Sequence, residues 1–277
     1  MSLRPETPID VAADVRLAAS GASVTSSGAS MTSDLSIDEE LNLHSIGWEP
    51  VELVSGVSVY STPAGMWNWG QGEIAAATEA HGLAFKSALS RIEAEAGNAG
   101  GQGVVGVHIE RTVHSSHIEV SLLGTAVRPV GLARVELNKV FVSDLSARDF
   151  ALLMVAGWQP LGLASGASFV YAPRRSVGAA FQQQTQNIEL TNFTEAMYSA
   201  RESAMARMQE SALALGGAGV VEVKVIEGPM YFAAHAIGFA AWGTVVRLAG
   251  SAHQLVRPTA VVSLNDSTVA FEASTLG

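Results

Sequence analysis

A chain of 277 residues with a formal net charge of −10 and a calculated pI near 5.1 repels phosphate backbones, and its 16 basic residues are scattered rather than gathered into a patch, which excludes nucleic acid as a partner. Charged residues make up 15% of the chain against 48% hydrophobic. That is too little polar cover for two isolated small domains, so apolar surface must be shared between domains or between chains. The absence of cysteine removes disulfides, thiolate metal sites and cysteine nucleophiles.

The opening MSLRPETPIDVAADVRLAAS lacks the uninterrupted apolar stretch of an export signal, because Asp10, Asp14 and Arg16 break it. A cytoplasmic protein is expected. Residues 11–33 are mostly Ala, Ser, Gly and Thr, which bury too little to offset ordering entropy, so a flexible arm is expected over 1–32. Next, SDLSIDEE at 33–40 and SDLSARDF at 143–150 each offer an N-cap serine with an acidic residue three positions on, Ser36 with Glu39 and Ser146 with Asp149. Each predicts a short helix that stops at Gly47 or Gly157.

The stretches GWEPVELVSG at 47–56 and GWQPLGLASG at 157–166 share six of ten positions. Both lead into β-type runs, whose Ser-Gly pairs at 55–56 and 165–166 mark a bulge or a close backbone approach. Long helices are predicted over 73–96 and 189–215 from apolar residues at three- and four-residue spacing. They end in the glycine clusters NAGGQG and GGAG, and strands follow from GVVGV at 103 and GVVEV at 219. The hairpins return through GTAVR at 124 and GTVVR at 243. The offset between matching motifs grows from 110 to 116 to 119, as it does when loops absorb insertions between two copies of one unit.

The fold expected is therefore α/β (α+β), two copies of an α-β-α-β-β unit, each a small sheet packed on one long helix. VFVSDL at 140–145 and VVSLND at 261–266 read as further strands, one linking the units and one closing the chain. The boundaries expected are an arm at 1–32, a first unit at 33–142, a second at 143–266 and a tail at 267–277. The longest apolar stretch, residues 230–246, contains His235 and two glycines and falls short of the roughly 20 residues a spanning helix needs, so no membrane association is expected.

Gly-Trp-x-Pro, the Ser-Gly strand, Gly-x-Gly-Val-Val and Gly-Thr-x-Val, in that order and twice over, resemble the YbjQ-like family, whose domains are often labelled heavy-metal-binding, across roughly 36–130 and 146–249. The resemblance implies small α/β units that assemble into five-fold rings, with no established biochemical activity. A tandem version looks like a homo-oligomeric ring-former with two subunit equivalents per chain.

Gly101-Gln-Gly103-Val-Val-Gly106 spells the dinucleotide fingerprint, but it follows a helix and enters a strand, the reverse of the order that brings a helix N-terminus to pyrophosphate. Helix-ending turn chemistry explains it better. His114 and His117 in HSSH face each other across an expected two-residue turn, with His108 farther down the strand, and this is the candidate transition-metal set. The second copy has Gly-Pro-Met there instead, and a closed site needs three or four ligands. Trp67 and Trp69 in MWNWGQGE, and Arg174 and Arg175 in APRRSVGAAFQQQ, occupy equivalent loops and are the candidate ligand contacts, although packing of the tryptophans onto the core or a neighbouring chain is the favoured reading. Glu79 and Glu195 recur at one helical position, yet no nucleophile with a base, no paired carboxylates and no phosphate loop accompany them.

The two hairpins differ. His108, Glu110, Arg111, His117 and Glu119 give the first a partly solvated face, whereas Tyr231, Phe232, Ile237, Phe239 and Trp242 make the second apolar, which predicts its burial in an inter-unit or inter-subunit interface. The function expected is a non-enzymatic structural or binding module without a cofactor. The alternative is a protein that binds a divalent transition metal or a small ligand through its loops or hairpins.

Overall fold

The computed structural model describes residues 32–62, 72–114, 116–130, 139–172, 189–229 and 235–249. All of them belong to one compact unit that begins at Thr32. The duplication is plain in the element lengths. Helix α1 (Ile37–Ser45) and strand β1 (Trp48–Ser61) of the first repeat match α3 (Ala147–Val155) and β6 (Trp158–Tyr171) of the second. The long helices α2 (Ala75–Asn98) and α4 (Thr191–Ala214) both have 24 residues. The hairpin of β3 (Gly103–Val113) and β4 (His117–Pro129) corresponds to that of β7 (Gly219–Pro229) and β8 (Ala236–Leu248). Two short strands, β2 (Gly72–Glu73) and β5 (Phe141–Val142), complete the set.

The short helices start as their sequences require. Ser36 and Glu39 form a reciprocal capping box, and Ser146 Oγ accepts from the Asp149 backbone amide. Gly47 and Gly157 end them at φ of 76° and 80°, a conformation that costs glycine nothing. The long helices begin two residues later than their sequence pattern suggests, because Glu73 is spent in β2 and Leu190 is the N-cap of α4. VFVSDL forms only the two-residue β5, parallel to β3. The expected strand at 261–266 and all of the expected arm at 1–32 except Thr32 lie outside the described residues.

Each repeat has a four-stranded sheet, ordered β1-β4-β3-β5 in the first and β2-β6-β8-β7 in the second. Bulges recur at matching places, between Pro50 and Glu52 and between Pro160 and Gly162, then between Val105 and His108 and between Val221 and Lys224. Small side chains bring each long helix onto its sheet: Ala80, Ala84, Ala88 and Ala96 on α2, and Ala196, Ala200, Ala204 and Ala212 on α4, are all buried. The Ser-Gly pairs serve this approach, since a Cβ on Gly56 would strike Ala88 O and one on Gly166 would strike Ala204 O.

Sheet one is covered by α2 on its inner face. Sheet two is covered on both faces, by α4 on one and by α2 with the first repeat on the other, so Leu163, Ala167, Phe169, Ala240 and Trp242 share one core with α2 and the inner face of sheet one. A separate core ties the short helices to the end of sheet one, with Trp48 edge-on to Phe150 at 5.2 Å and to Phe141 at 5.9 Å.

Candidate functional site

The most elaborate chemistry among the described residues lies where the two repeats meet. Phe169 projects from β6 toward the first repeat, 6.0 Å from the His81 ring and 5.8 Å beneath the Arg111 guanidinium. Burial, helped by the charge on Arg111, holds the His81 pKa down to about 3, so this imidazole is neutral across the physiological range. Arg111 itself lies on the inner face of β3, in line with Val120 and Ser58, and its Nε and Nη1 are buried without a hydrogen-bond partner. Its expected place on a solvated face is thus corrected. His108 and Glu110 do face outward, but strand alternation turns Arg111 the other way.

A polar clasp joins the repeats at the edge of sheet two. Residues Gly72 and Glu73 of the first repeat add to β6 as β2, opposite Tyr171 and Val170. The Ile74 amide donates to Phe169 O at 2.6 Å, and the Phe169 amide donates to Thr78 Oγ1. The Glu73 carboxylate then receives Arg207 of α4 in a bidentate pair at 2.6 and 2.9 Å, Ser168 Oγ at 2.9 Å and Thr78 Oγ1 at 3.0 Å. The Arg207 hydrogen bond, outweighing partial burial, lowers the Glu73 pKa. Arg207 Nη1 also donates to Ala167 O.

A second polar joint repeats a motif. The Asp34 amide donates to Thr125 Oγ1 at 3.2 Å, and the Asp144 amide donates to Thr244 Oγ1 at 3.1 Å. Thr244 Oγ1 in turn donates to Asp144 Oδ1 at 2.6 Å, while Lys224 Nζ stands 3.3 Å from Asp144 Oδ2. Asp34, Thr125, Asp144 and Lys224 border a cavity of about 340 Å³ that Glu39, His108 and Glu222 also line. Burial opposes the charge on Lys224, but Asp144 and Glu222 outweigh it and raise its pKa.

His114 and His117 do come together. The His114 amide donates to His117 O at 2.9 Å, and the two rings stack 4.2 Å apart at 21°. Stacked rings direct their in-plane lone pairs side by side rather than at one point, and His108 pairs with Glu110 on the outer face instead. No group of three potential His or carboxylate ligands occurs among the described residues, so this geometry does not fit a closed transition-metal site. The Gly-rich string follows α2 and enters β3, the order that denies a helix N-terminus to a dinucleotide.

Trp67, Trp69, Arg174, Arg175, Tyr231 and Phe232 lie outside the described residues. Trp242 is buried in the core shared by the repeats. Phe239, three residues earlier, faces the other way and packs beneath α4, so its burial belongs to the second repeat alone. Glu73, Ser168 and Arg207 escaped sequence reasoning. Their signal was present in the offsets, since Glu73 and Glu189, Thr78 and Thr194, and Arg91 and Arg207 all stand 116 apart.

Comparison with known proteins agrees with the repeat. The model of the YbjQ family, described as "Putative heavy-metal-binding", matches residues 51–129 and again 173–249. A curated relative, the encapsulin nanocompartment protein Rv1762c of Mycobacterium tuberculosis, is 35% identical over 245 residues, covering 85% of this chain and 92% of the relative. No solved structure matches. No helix among the described residues is long and apolar enough to cross a membrane.

Proposed function

This chain belongs to the YbjQ family and carries the family's unit twice, and we propose that it is a non-enzymatic, ring-forming structural module that works in the cytoplasm as part of an encapsulin nanocompartment. The observation that carries the reading is an imbalance between the two ends of the repeat pair. Inside the chain, the second face of α2 is sealed against sheet two. The matching face of α4 is open, with Leu190 47%, Met197 37% and Tyr198 63% exposed, whereas Ile74 and His81, the counterparts of Leu190 and Met197, are 1% and 3% exposed.

The opposite end is open in the same way. On the outer face of sheet one, Val57, Val59 and Leu123 are 44%, 55% and 40% exposed, while their counterparts Ala167, Phe169 and Trp242 are buried at the internal junction. Two unlike surfaces that mate within the chain are thus left over at its ends, the condition for a heterologous, head-to-tail assembly that closes when the rotation per copy permits. Closure with five-fold symmetry takes five chains and ten units. The name of the Mycobacterium tuberculosis relative, at the identity given above, supports extending its nanocompartment association to this chain.

Sedimentation and electron imaging of the full chain test the assembly, and co-expression with an encapsulin shell protein tests the association. Closed rings that co-purify with the shell are the expected result. A chain that stays monomeric at micromolar concentration overturns the ring.

A further inference from the structure

Inside the chain, Glu73 is the carboxylate that locks one repeat to the other, and each half of that lock exists a second time without its mate. The carboxylate half is preformed just ahead of α4. Glu189 accepts from Thr194 Oγ1 at 2.9 Å, just as Glu73 accepts from Thr78 at 3.0 Å. The helix N-caps that follow are nearly superposable, Ile74 at φ −85°, ψ 79° and Leu190 at φ −85°, ψ 72°. Yet Glu189 is exposed.

The half that donates is preformed on the first repeat. Arg91 Nη1 donates to Val57 O, as Arg207 Nη1 donates to Ala167 O. Ser58, the counterpart of Ser168, is 2% exposed, and its Oγ has no hydrogen-bond partner, whereas Ser168 Oγ bonds Glu73. Among the described residues, strand β1 stands at the edge of its sheet, where the corresponding edge of β6 is taken by β2. An open strand edge beside an unfilled polar socket is a template for strand addition.

We propose that Glu189 of one chain docks beside β1 of a second copy and there accepts hydrogen bonds from Arg91 and Ser58, rebuilding between chains the clasp that Glu73, Arg207 and Ser168 make within one. The occupant is a second copy because the same chain supplies both halves with matching spacing and charge. Docking also seats Val59 of the second copy in the groove of about 250 Å³ lined by Thr194, Met197, Tyr198, Arg201 and Glu227, the place that Phe169 fills at the internal junction. The inference rests on the head-to-tail reading above.

The test uses the full chain. Glu189→Arg and Arg91→Glu are each expected to weaken self-association about tenfold or more, with the double variant restoring it. Glu189 is exposed, so its variant leaves the fold intact and keeps the test open even if Arg91→Glu misfolds. In the cysteine-free background, Tyr60→Cys with Glu189→Cys should yield oxidised multimers of the chain, because the internal equivalents Val170 and Glu73 are paired across the strands; neither single variant should go beyond a dimer. An assembly that keeps its size in Glu189→Arg and does not extend past dimers through the cysteine pair overturns the clasp while leaving the ring standing. A wild-type chain that is monomeric overturns both.

Discussion

Arg111 of the first repeat lies 5.8 Å over the ring of Phe169 from the second, and this contact is the main compensation for a guanidinium whose Nε and Nη1 are buried without partners. A cation–π contact contributes about 0.5–2 kcal/mol, whereas an unpaired buried charge costs several. Arg111→Met keeps the aliphatic bulk and removes the cost. It should raise the melting temperature by about 2–6 °C, as read by differential scanning calorimetry. A lower melting temperature would mean that the guanidinium has an acceptor within the folded protein after all.

His81 makes the same junction sensitive to acid. Its pKa falls from an ordinary 6.5 to about 3 on folding, so below pH 6.5 the unfolded chain binds a proton that the folded chain refuses. The stability present above pH 6.5 is therefore lost as pH drops toward 3. Between pH 7 and 4.5 the wild type should lose about 3 kcal/mol more than His81→Met, the residue that α4 carries at the matching position. Urea titrations at the two pH values measure the difference, and equal losses in the two proteins would show that His81 is protonated in the fold.

Gly56 and Gly166 are predicted to be intolerant of even one methyl group. A Cβ would sit 2.8 Å from Ile92 N at the first and 2.5 Å from Met208 N at the second, against helix backbone that cannot swing aside. Gly56→Ala and Gly166→Ala should each cost about 1–3 kcal/mol or more. Gly82, in the middle of α2 with nothing within 4 Å of its Cβ position, should instead gain about 1 kcal/mol as alanine. Equal effects at the three sites would place the long helices farther from their sheets.

The architecture was legible because caps, glycine stops and strand motifs recur in order, and growing offsets in the loops between them reveal a duplication without any tertiary information. What remained hidden depends on faces and on distant pairing. Arg111 looked like part of a solvated face because charge usually signals solvent, yet alternation from His108 and Glu110 already placed it opposite. Glu73 looked like the first turn of a helix. Its role appears only when the chain returns almost a hundred residues later as β6, since a two-residue strand has no periodicity to betray it.

Glu222 shows where the second copy departs from the first in backbone energy. Its φ of 53° is the one positive value outside glycine among the described residues, and its counterpart at the same bulge is Gly106 at φ 65°. An L-residue in this conformation costs about 1–2 kcal/mol. The compensation available is the 3.3 Å contact with Lys224, a cation that Asp144 also holds at 3.3 Å. Half-exposed pairs of this kind contribute about 0–1 kcal/mol, so the strain exceeds the gain. Glu222→Gly should therefore stabilise the protein by about 1 kcal/mol, and Gly106→Glu should destabilise it by about 1–2 kcal/mol, both read from urea midpoints at unchanged slope. If Glu222→Gly is instead destabilising, the carboxylate has a larger part in holding Lys224 over Asp144 than its exposure implies, and the cavity beside it depends on that strained residue.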